Sequence, residues 1–244
     1  MKYLNAIAYI IVIAFNILAN TLPLNGQTQQ MISDRYDVLI TPAGYAFSIW
    51  GLIYLLLFAF VVGGISRDRR RVRRMSPAFL VSCGANVGWL VAWHWNQPAL
   101  ALGFMVLLLG SLISAKATLA TDPPNSSLDR WTADIPFEVY LGWISVATIV
   151  NAAVVLEYYD WNALGLDPVF WTIAMMGVAI LLAVLVSRVW GSAPFVLVVA
   201  WALVGVATAN SSNTSIFWSG WIGAAALVVV AVYALRRKGR ISRV

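Results

Sequence analysis

Aromatic and amide side chains recur at helical spacing in three hydrophobic segments of this sequence. Trp50 and Tyr54 stand four residues apart in the first segment, and Asn86 and Trp89 stand three apart in the second. Residues at these separations share one face of an α-helix. The third segment carries a longer stripe with one small residue in it: Tyr140, Trp143, Ala147 and Asn151.

These residue types suit non-covalent binding of a flat apolar molecule. An indole supplies a large rigid apolar face with one N–H donor, and an amide supplies both donors and an acceptor. The alternative interpretation is a packed aromatic core in which the amides only link helices. The spacing alone leaves both interpretations open.

Groups that could catalyse a reaction are scarce. The sequence has no metal-ligand cluster, phosphate-binding loop, catalytic triad or carboxylate pair. Glu138 is the only acid clearly inside a hydrophobic segment. It lies, like Lys116, near the inner end of its segment, where the two side chains would either extend to the membrane surface or pair with each other. We therefore expect no enzyme activity, no required cofactor and no metal site. The single histidine, His94, could ligate a heme, but a solvated or hydrogen-bonded imidazole is the simpler expectation.

Eight hydrophobic runs must position these side chains. They cover residues 3–22, 42–65, 77–95, 98–120, 135–156, 169–190, 193–210 and 216–235. Each run has about the 20 residues needed to cross roughly 30 Å of hydrocarbon. The chain is 61% hydrophobic and 11% charged, whereas soluble domains are about 25% charged. We predict an all-α polytopic membrane bundle of about eight transmembrane helices.

The basic residues indicate how these helices are oriented. All 16 lysines and arginines except Arg35 lie in every second gap between the runs, including the segment 67–74 and the C-terminal tail. Short cytoplasmic loops retain Lys and Arg, so both termini are predicted to be cytoplasmic. This pattern explains the net charge of +6 without nucleic-acid binding. The segment 67–74 could also hold anionic lipid headgroups.

Further expectations concern the first run, the membrane and self-association. Lys2 and the apolar residues after it could form a cleaved signal peptide, but we expect a retained helix. We expect a multi-pass protein of the cell (plasma or inner) membrane, with membrane lipids and a small apolar ligand as partners. Gly84 and Gly88 form a G-x-x-x-G pair, which predicts close helix packing within the bundle or, alternatively, a homodimer face.

Three motifs resemble the TspO/MBR family, the tryptophan-rich sensory or translocator proteins. Residues 42–54, PAGYAFSIWGLIY, are similar to the family's proline-rich entry followed by W-V-F and W-x-x-x-Y. Residues 86–89 are similar to N-x-x-W, and residues 140–151 to Y-x-x-W-x-x-x-A-x-x-x-N. The resemblance covers about residues 1–160, the five-helix unit of that family. Residues 161–244 would then be a C-terminal extension of three helices in the same bundle.

The sequence departs from the family pattern in two places. The interval from Phe47 to Trp50 is one residue shorter, and Tyr45 stands where the family has the Trp of W-V-F. The outer loop at about residues 23–41 contains no Trp. Porphyrin degradation in the family is attributed to tryptophans of this region, which argues against the same chemistry here.

The resemblance implies a membrane receptor or sensor with an intramembrane aromatic pocket, covered by the loop 23–41. The implied ligand is flat and apolar: a porphyrin, heme or other tetrapyrrole, or a sterol- or isoprenoid-like lipid. The implied ligand-binding residues are Tyr45, Phe47, Trp50, Tyr54, Asn86, Trp89, Tyr140, Trp143, Ala147 and Asn151. The main alternative is a small-solute or lipid transporter, which the number of spans favours.

The seventh hydrophobic run shares a residue spacing with the fifth. Pro136-Phe137 precedes Trp143 at the same distance as Pro194-Phe195 precedes Trp201. Partial duplication would explain the identical spacing, and so would chance similarity between two apolar helices.

Overall fold

The chain folds into eight long or apolar helices, and no strand occurs among the described residues. The computed structural model describes residues 1–21, 24–33, 35–66 and 70–241. The helices are α1 (Lys2–Thr21), α2 (Ile49–Ser66), α3 (Arg70–His94), α4 (Pro98–Ala120), α5 (Ile135–Tyr158), α6 (Pro168–Trp190), α7 (Ala193–Ala209) and α8 (Thr214–Ile241). Each predicted hydrophobic run overlaps one of these helices.

Seven of the described helices are long and apolar enough to cross a membrane. The eighth, α7, is equally apolar but has 17 residues, about the shortest length that spans the hydrocarbon layer. The prediction of an all-α membrane bundle is confirmed. The orientation of the termini stays a prediction.

One helix begins earlier than its hydrophobic run. The run starts at Pro77, whereas α3 starts at Arg70 and contains Pro77 in its interior. The first turns of α3 are rich in arginine, so a hydropathy pattern does not recognise them as part of the helix. Residues 67–69 of the arginine-rich segment lie outside the described part of the chain.

Helix α5 is the centre of the bundle. It packs against α4 on one side, α2 on another and α7 on a third, while α6 and α8 pack around α7. Three phenylalanines join α2, α3 and α5: the ring of Phe60 lies 5.1 Å from those of both Phe79 and Phe137. All three side chains are fully buried.

Side chains at three positions along α1 form hydrogen bonds to other helices of the bundle. Asn5 Nδ2 donates to Ser76 Oγ at 2.8 Å, and Tyr9 OH donates to the backbone carbonyl of Tyr54 at 3.0 Å. Asn16 bonds a residue of the candidate site and is described with it below. These polar links cross between helices, where they have few competing partners in lipid.

A buried charge cluster ties α3, α4 and α5 together at the predicted cytoplasmic end. Arg71 Nη1 donates to Asp129 Oδ2 at 2.7 Å, and Arg71 Nη2 donates to Asp134 Oδ2 at 3.1 Å. Lys116 Nζ lies 2.5 Å from Glu138 Oε1, and both side chains are at most 5% exposed. The predicted Lys116–Glu138 pair is therefore confirmed. Arg71 is bound inside the bundle, away from lipid headgroups.

The glycine pair of α3 makes one close contact. A Cβ added at Gly88 would come within 2.5 Å of the Phe104 ring of α4, whereas nothing lies within 4 Å of one added at Gly84. Gly88 therefore serves packing within the bundle. The homodimer stays a prediction.

We expect Gly220→Ala to lower the free energy of unfolding by about 1–3 kcal/mol, as overpacking does. An added Cβ would lie 2.7 Å from Ala207 Cβ and 2.8 Å from the Leu203 carbonyl oxygen, so α7 and α8 would have to separate. Gly177→Ala is the matched control, because its Cβ would meet nothing within 4 Å. Thermal unfolding in detergent measures both; equal melting temperatures would contradict the α7–α8 contact.

Candidate functional site

A small cavity lies between α2, α3 and α5, in the halves of these helices that are predicted to face the outer side of the membrane. The loop before α2 lies over it. The cavity has a volume of about 40 Å³, and we call it the aromatic cavity. Its lining residues are Gln29, Ser33, Pro42, Phe47, Trp50, Trp89, Trp93, Trp143, Val146, Ala147, Val150 and Asn151. Six of the ten predicted ligand-binding residues are among them: Phe47, Trp50, Trp89, Trp143, Ala147 and Asn151.

Trp50 is the centre of the ring cluster. Its ring stacks on Tyr54 at 5.6 Å and on Trp89 at 6.3 Å, with interplanar angles of 21° and 26°. Tyr140 and Trp143 meet it edge-on at 6.0 and 6.3 Å. Tyr54 and Tyr140 do not line the cavity, so they contact Trp50 on sides of its ring that face away from the cavity.

The two predicted amides are engaged with the protein itself. Asn151 Oδ1 accepts a hydrogen bond from Trp89 Nε1 at 3.0 Å, which fixes the plane of that indole. Asn86 Nδ2 donates to Tyr140 OH at 3.1 Å, and Asn86 Oδ1 accepts from Asn16 Nδ2 at 2.9 Å. Asn86 is fully buried away from the cavity and links α1, α3 and α5. Asn151 borders the cavity and orients one of its walls.

One polar group of the cavity wall, the indole N–H of Trp143, has no hydrogen-bond partner among the described residues. Trp143 is buried, and its ring meets Phe47 edge-on at 5.7 Å. A buried donor without an acceptor costs about 1–3 kcal/mol. A ligand that brings an acceptor to this N–H would recover that free energy.

A short helix, Gln29–Ser33, covers the cavity as the predicted lid. Among the described residues, one long hydrogen bond joins this helix to α3: Trp93 Nε1 donates to the Gln29 carbonyl at 3.5 Å. Next to it, the Tyr36 ring lies 6.1 Å from the Trp93 ring, and Tyr36 OH donates to Asn96 Oδ1 at 2.7 Å. Burial raises the pKa of the Tyr36 phenol above its ordinary value.

Helix α7 holds the chain segment that carries Phe47 and leads into Trp50, a role the motifs did not reveal. The Ala43 backbone N–H donates to the Gly205 carbonyl at 3.0 Å, and Trp201 Nε1 donates to the Ala46 carbonyl at 3.1 Å. Asn210 Nδ2 donates to the Leu39 carbonyl at 2.8 Å. The only sequence signal was the spacing shared by the fifth and seventh runs: Trp143 and Trp201 flank this segment from two sides.

Tyr45 lies apart from the other predicted residues. Its ring meets Trp201 edge-on at 5.3 Å, its hydroxyl lies 3.3 Å from Thr208 Oγ1, and 43% of the residue is exposed. The residue that reaches the cavity from this segment is Phe47. In this 3-10 helical turn, Gly44–Ser48, neighbouring side chains point in different directions.

His94 is buried at the end of α3 and does not line the aromatic cavity. Its Nδ1 lies 2.8 Å from the Leu90 carbonyl oxygen, which agrees with the expected hydrogen-bonded imidazole. No group of three or more His, Cys, Asp or Glu side chains able to hold a metal occurs in the described part of the chain.

We expect Trp201→Phe to loosen the segment that leads into the site. The substitution keeps an aromatic ring but removes the bond to the Ala46 carbonyl, which contributes about 1 kcal/mol. Backbone amide exchange in residues 43–48 should accelerate about five-fold. Trp221→Phe is the matched control, because Trp221 lies on α8 away from this segment. Equal exchange in both variants would contradict the anchoring role.

Comparison with known proteins agrees with a membrane bundle of these helices. A family model described as TSPO-like protein matches residues 2–233, from the start of α1 into the last turns of α8. The matched region therefore includes the cavity and the C-terminal helices that hold its entry segment. No curated protein and no solved structure matches the chain. The division of the chain at about residue 160 stays a prediction.

Proposed function

This chain belongs to the TSPO-like protein family, and on that premise we propose that it is a receptor or sensor that binds a flat apolar ligand in the aromatic cavity. At the level of the family it is a multi-pass membrane protein of the sensing, ligand-binding kind. The proposal adds the cavity as the binding site and the plasma or inner membrane as its location.

The observation that carries the proposal is the composition of the cavity wall. Four indoles line it, those of Trp50, Trp89, Trp93 and Trp143. Three of them form a continuous stack, because the Trp89 ring lies 6.3 Å from Trp50 and 6.1 Å from Trp93. A stack of near-parallel rings offers flat apolar faces, the shape complementary to a planar ligand. The unpartnered Trp143 N–H adds a donor that would fix the ligand's orientation.

The cavity must open before such a ligand can enter. A volume of about 40 Å³ holds little more than one water, whereas small-molecule sites occupy roughly 300–1,000 Å³. The short helix Gln29–Ser33 is the element that we expect to move, because the hydrogen bond that the described residues show between it and α3 is long, 3.5 Å from Trp93 Nε1 to the Gln29 carbonyl. Displacing it would extend the cavity toward the predicted outer surface. The ligand classes that fit an opened, indole-walled site are tetrapyrroles and sterol- or isoprenoid-like lipids.

Titration of the full-length protein in nanodiscs with protoporphyrin IX tests the proposal through quenching of tryptophan fluorescence. We expect saturable binding that weakens about five-fold in Trp143→Phe, the equivalent of one hydrogen bond. Trp218→Phe is the matched control, because Trp218 is 57% exposed on α8. Equal affinity in the two variants would place the ligand elsewhere.

The same preparation separates a receptor from the alternative transporter. Reconstituted into vesicles, a receptor should bind the tetrapyrrole without accumulating labelled solute inside. Solute uptake without saturable tetrapyrrole binding would contradict the proposal and favour the transporter.

A further inference from the structure

A second cavity lies on a different side of α5 and is much larger than the first. Its volume is about 530 Å³, and we call it the lateral groove. Helices α4, α5 and α6 supply most of its lining, and residues 37–40 of the loop before α2 line it as well. Since α6 follows residue 160, the groove exists only because the C-terminal helices pack on α5. It shares no lining residue with the aromatic cavity.

Most of the groove is apolar and suited to a hydrocarbon chain. Its walls are made by aliphatic side chains from three helices: Leu109 and Ile113 of α4, Ile149 and Ala153 of α5, and Met175 and Leu182 of α6. Lipid tails are as apolar as these side chains, so burial of a chain here gains little over the bilayer. Selectivity must therefore come from the polar end of the groove.

That polar end carries two carboxylates, Asp37 and Glu157. Both residues are exposed, and neither forms an ion pair with any described residue. Asp160 and Asp167 lie close by in the chain, and Arg35 is the only basic residue predicted on this side of the membrane. This end of the groove therefore favours a positively charged group.

Two indoles line the same groove as these carboxylates. Trp161 and Trp171 line the groove, and their rings meet at 5.2 Å with an interplanar angle of 60°. Trp171 Nε1 donates to the Ala163 carbonyl at 2.9 Å, which holds the ring in place. Indole faces attract ammonium groups through their quadrupole, most strongly where water is excluded.

We propose that the lateral groove binds a single-chain amphipathic cation. Its ammonium head lies between Asp37, Glu157 and the indoles of Trp161 and Trp171. Its alkyl chain lies between α4, α5 and α6. An anionic lipid is disfavoured at the head position, because its phosphate would face two carboxylates.

Binding is measured with dodecyl chains brominated on the tail, which quench nearby tryptophans, added to the full-length protein in phosphatidylcholine nanodiscs. The cationic probe carries a trimethylammonium head, and the comparison probe a sulfate head. We expect saturable quenching by the cationic probe only. Raising the salt concentration should weaken it, because the attraction is electrostatic and partly exposed.

Three variants locate the two halves of the site. Glu157→Gln should weaken the cationic probe about three-fold, and the double variant with Asp37→Asn about ten-fold. Asp160→Asn is the matched control: it removes the same charge from the same end but does not line the groove. Ala153→Phe fills the hydrocarbon part and should abolish saturable quenching.

Each result decides the question. Equal affinity in Glu157→Gln and Asp160→Asn would overturn the head site, as would equally tight binding of the sulfate probe. Unchanged binding in Ala153→Phe would overturn the chain site. The groove is independent of the proposed receptor function: Ala153→Phe should leave protoporphyrin IX binding intact, so failure of one proposal is distinguishable from failure of the other.

Discussion

Replacing Ala147 by phenylalanine is expected to abolish tetrapyrrole binding while the bundle stays folded. Ala147 lines the aromatic cavity and is only partly buried, so we expect the new ring to fill the cavity and to displace the short helix Gln29–Ser33 that covers it. There it occupies the space beside the Trp50 and Trp143 rings that the ligand requires. Protoporphyrin IX titration should show no saturable quenching, a loss of at least about 100-fold, or about 3 kcal/mol.

The competing interpretation, a solid aromatic core, makes the opposite prediction for the same variant. Overpacking a filled core costs about 1–3 kcal/mol of stability. Ala226→Phe controls for the added ring, because Ala226 is exposed on α8. A lower melting temperature for Ala147→Phe together with unchanged ligand affinity would show that no ligand cavity exists at this position.

Breaking the buried Lys116–Glu138 pair is expected to produce the largest loss of stability. Lys116→Met leaves the Glu138 carboxylate 1% exposed and without its cation, and its other oxygen already has no partner among the described residues. Removing one member of a buried pair costs about 3–5 kcal/mol. In a chain of this length that corresponds to a fall in melting temperature of about 10 °C.

Two further variants separate charge burial from loss of packing. The double variant Lys116→Met with Glu138→Leu removes both charges and should regain most of the stability, because apolar replacements of buried pairs are often neutral. Arg188→Met removes an exposed basic residue near the same end and should change the melting temperature little. If Lys116→Met behaves like Arg188→Met, the pair does not stabilise the bundle.

Helical spacing and the family resemblance together predict part of the site. Separations of three and four residues place Trp50, Trp89, Trp143 and Ala147 each on one face of its helix, and the resemblance implies that these faces meet. All four residues line one cavity. This succeeded because a membrane helix satisfies its own backbone and keeps its periodicity through the bilayer. The same rule gave the helix positions from run length alone.

Other features depend on contacts between segments far apart in the chain, which periodicity does not describe. Asn86 proved to be a link between α1 and α5, since its partners are Asn16 and Tyr140. Trp201 looked like a repeat of Trp143 but bonds the turn before α2, 155 residues earlier. Arg71 was grouped with the loop arginines, yet Asp129 and Asp134 draw it into the bundle.

The structure of the full-length protein with protoporphyrin IX bound is the most direct test of the proposed receptor function. We predict that the macrocycle lies against the Trp50 and Trp89 rings, with an acceptor at Trp143 Nε1 and the helix Gln29–Ser33 displaced from α3. A tetrapyrrole bound outside a cavity that remains closed beneath Gln29–Ser33 would contradict it.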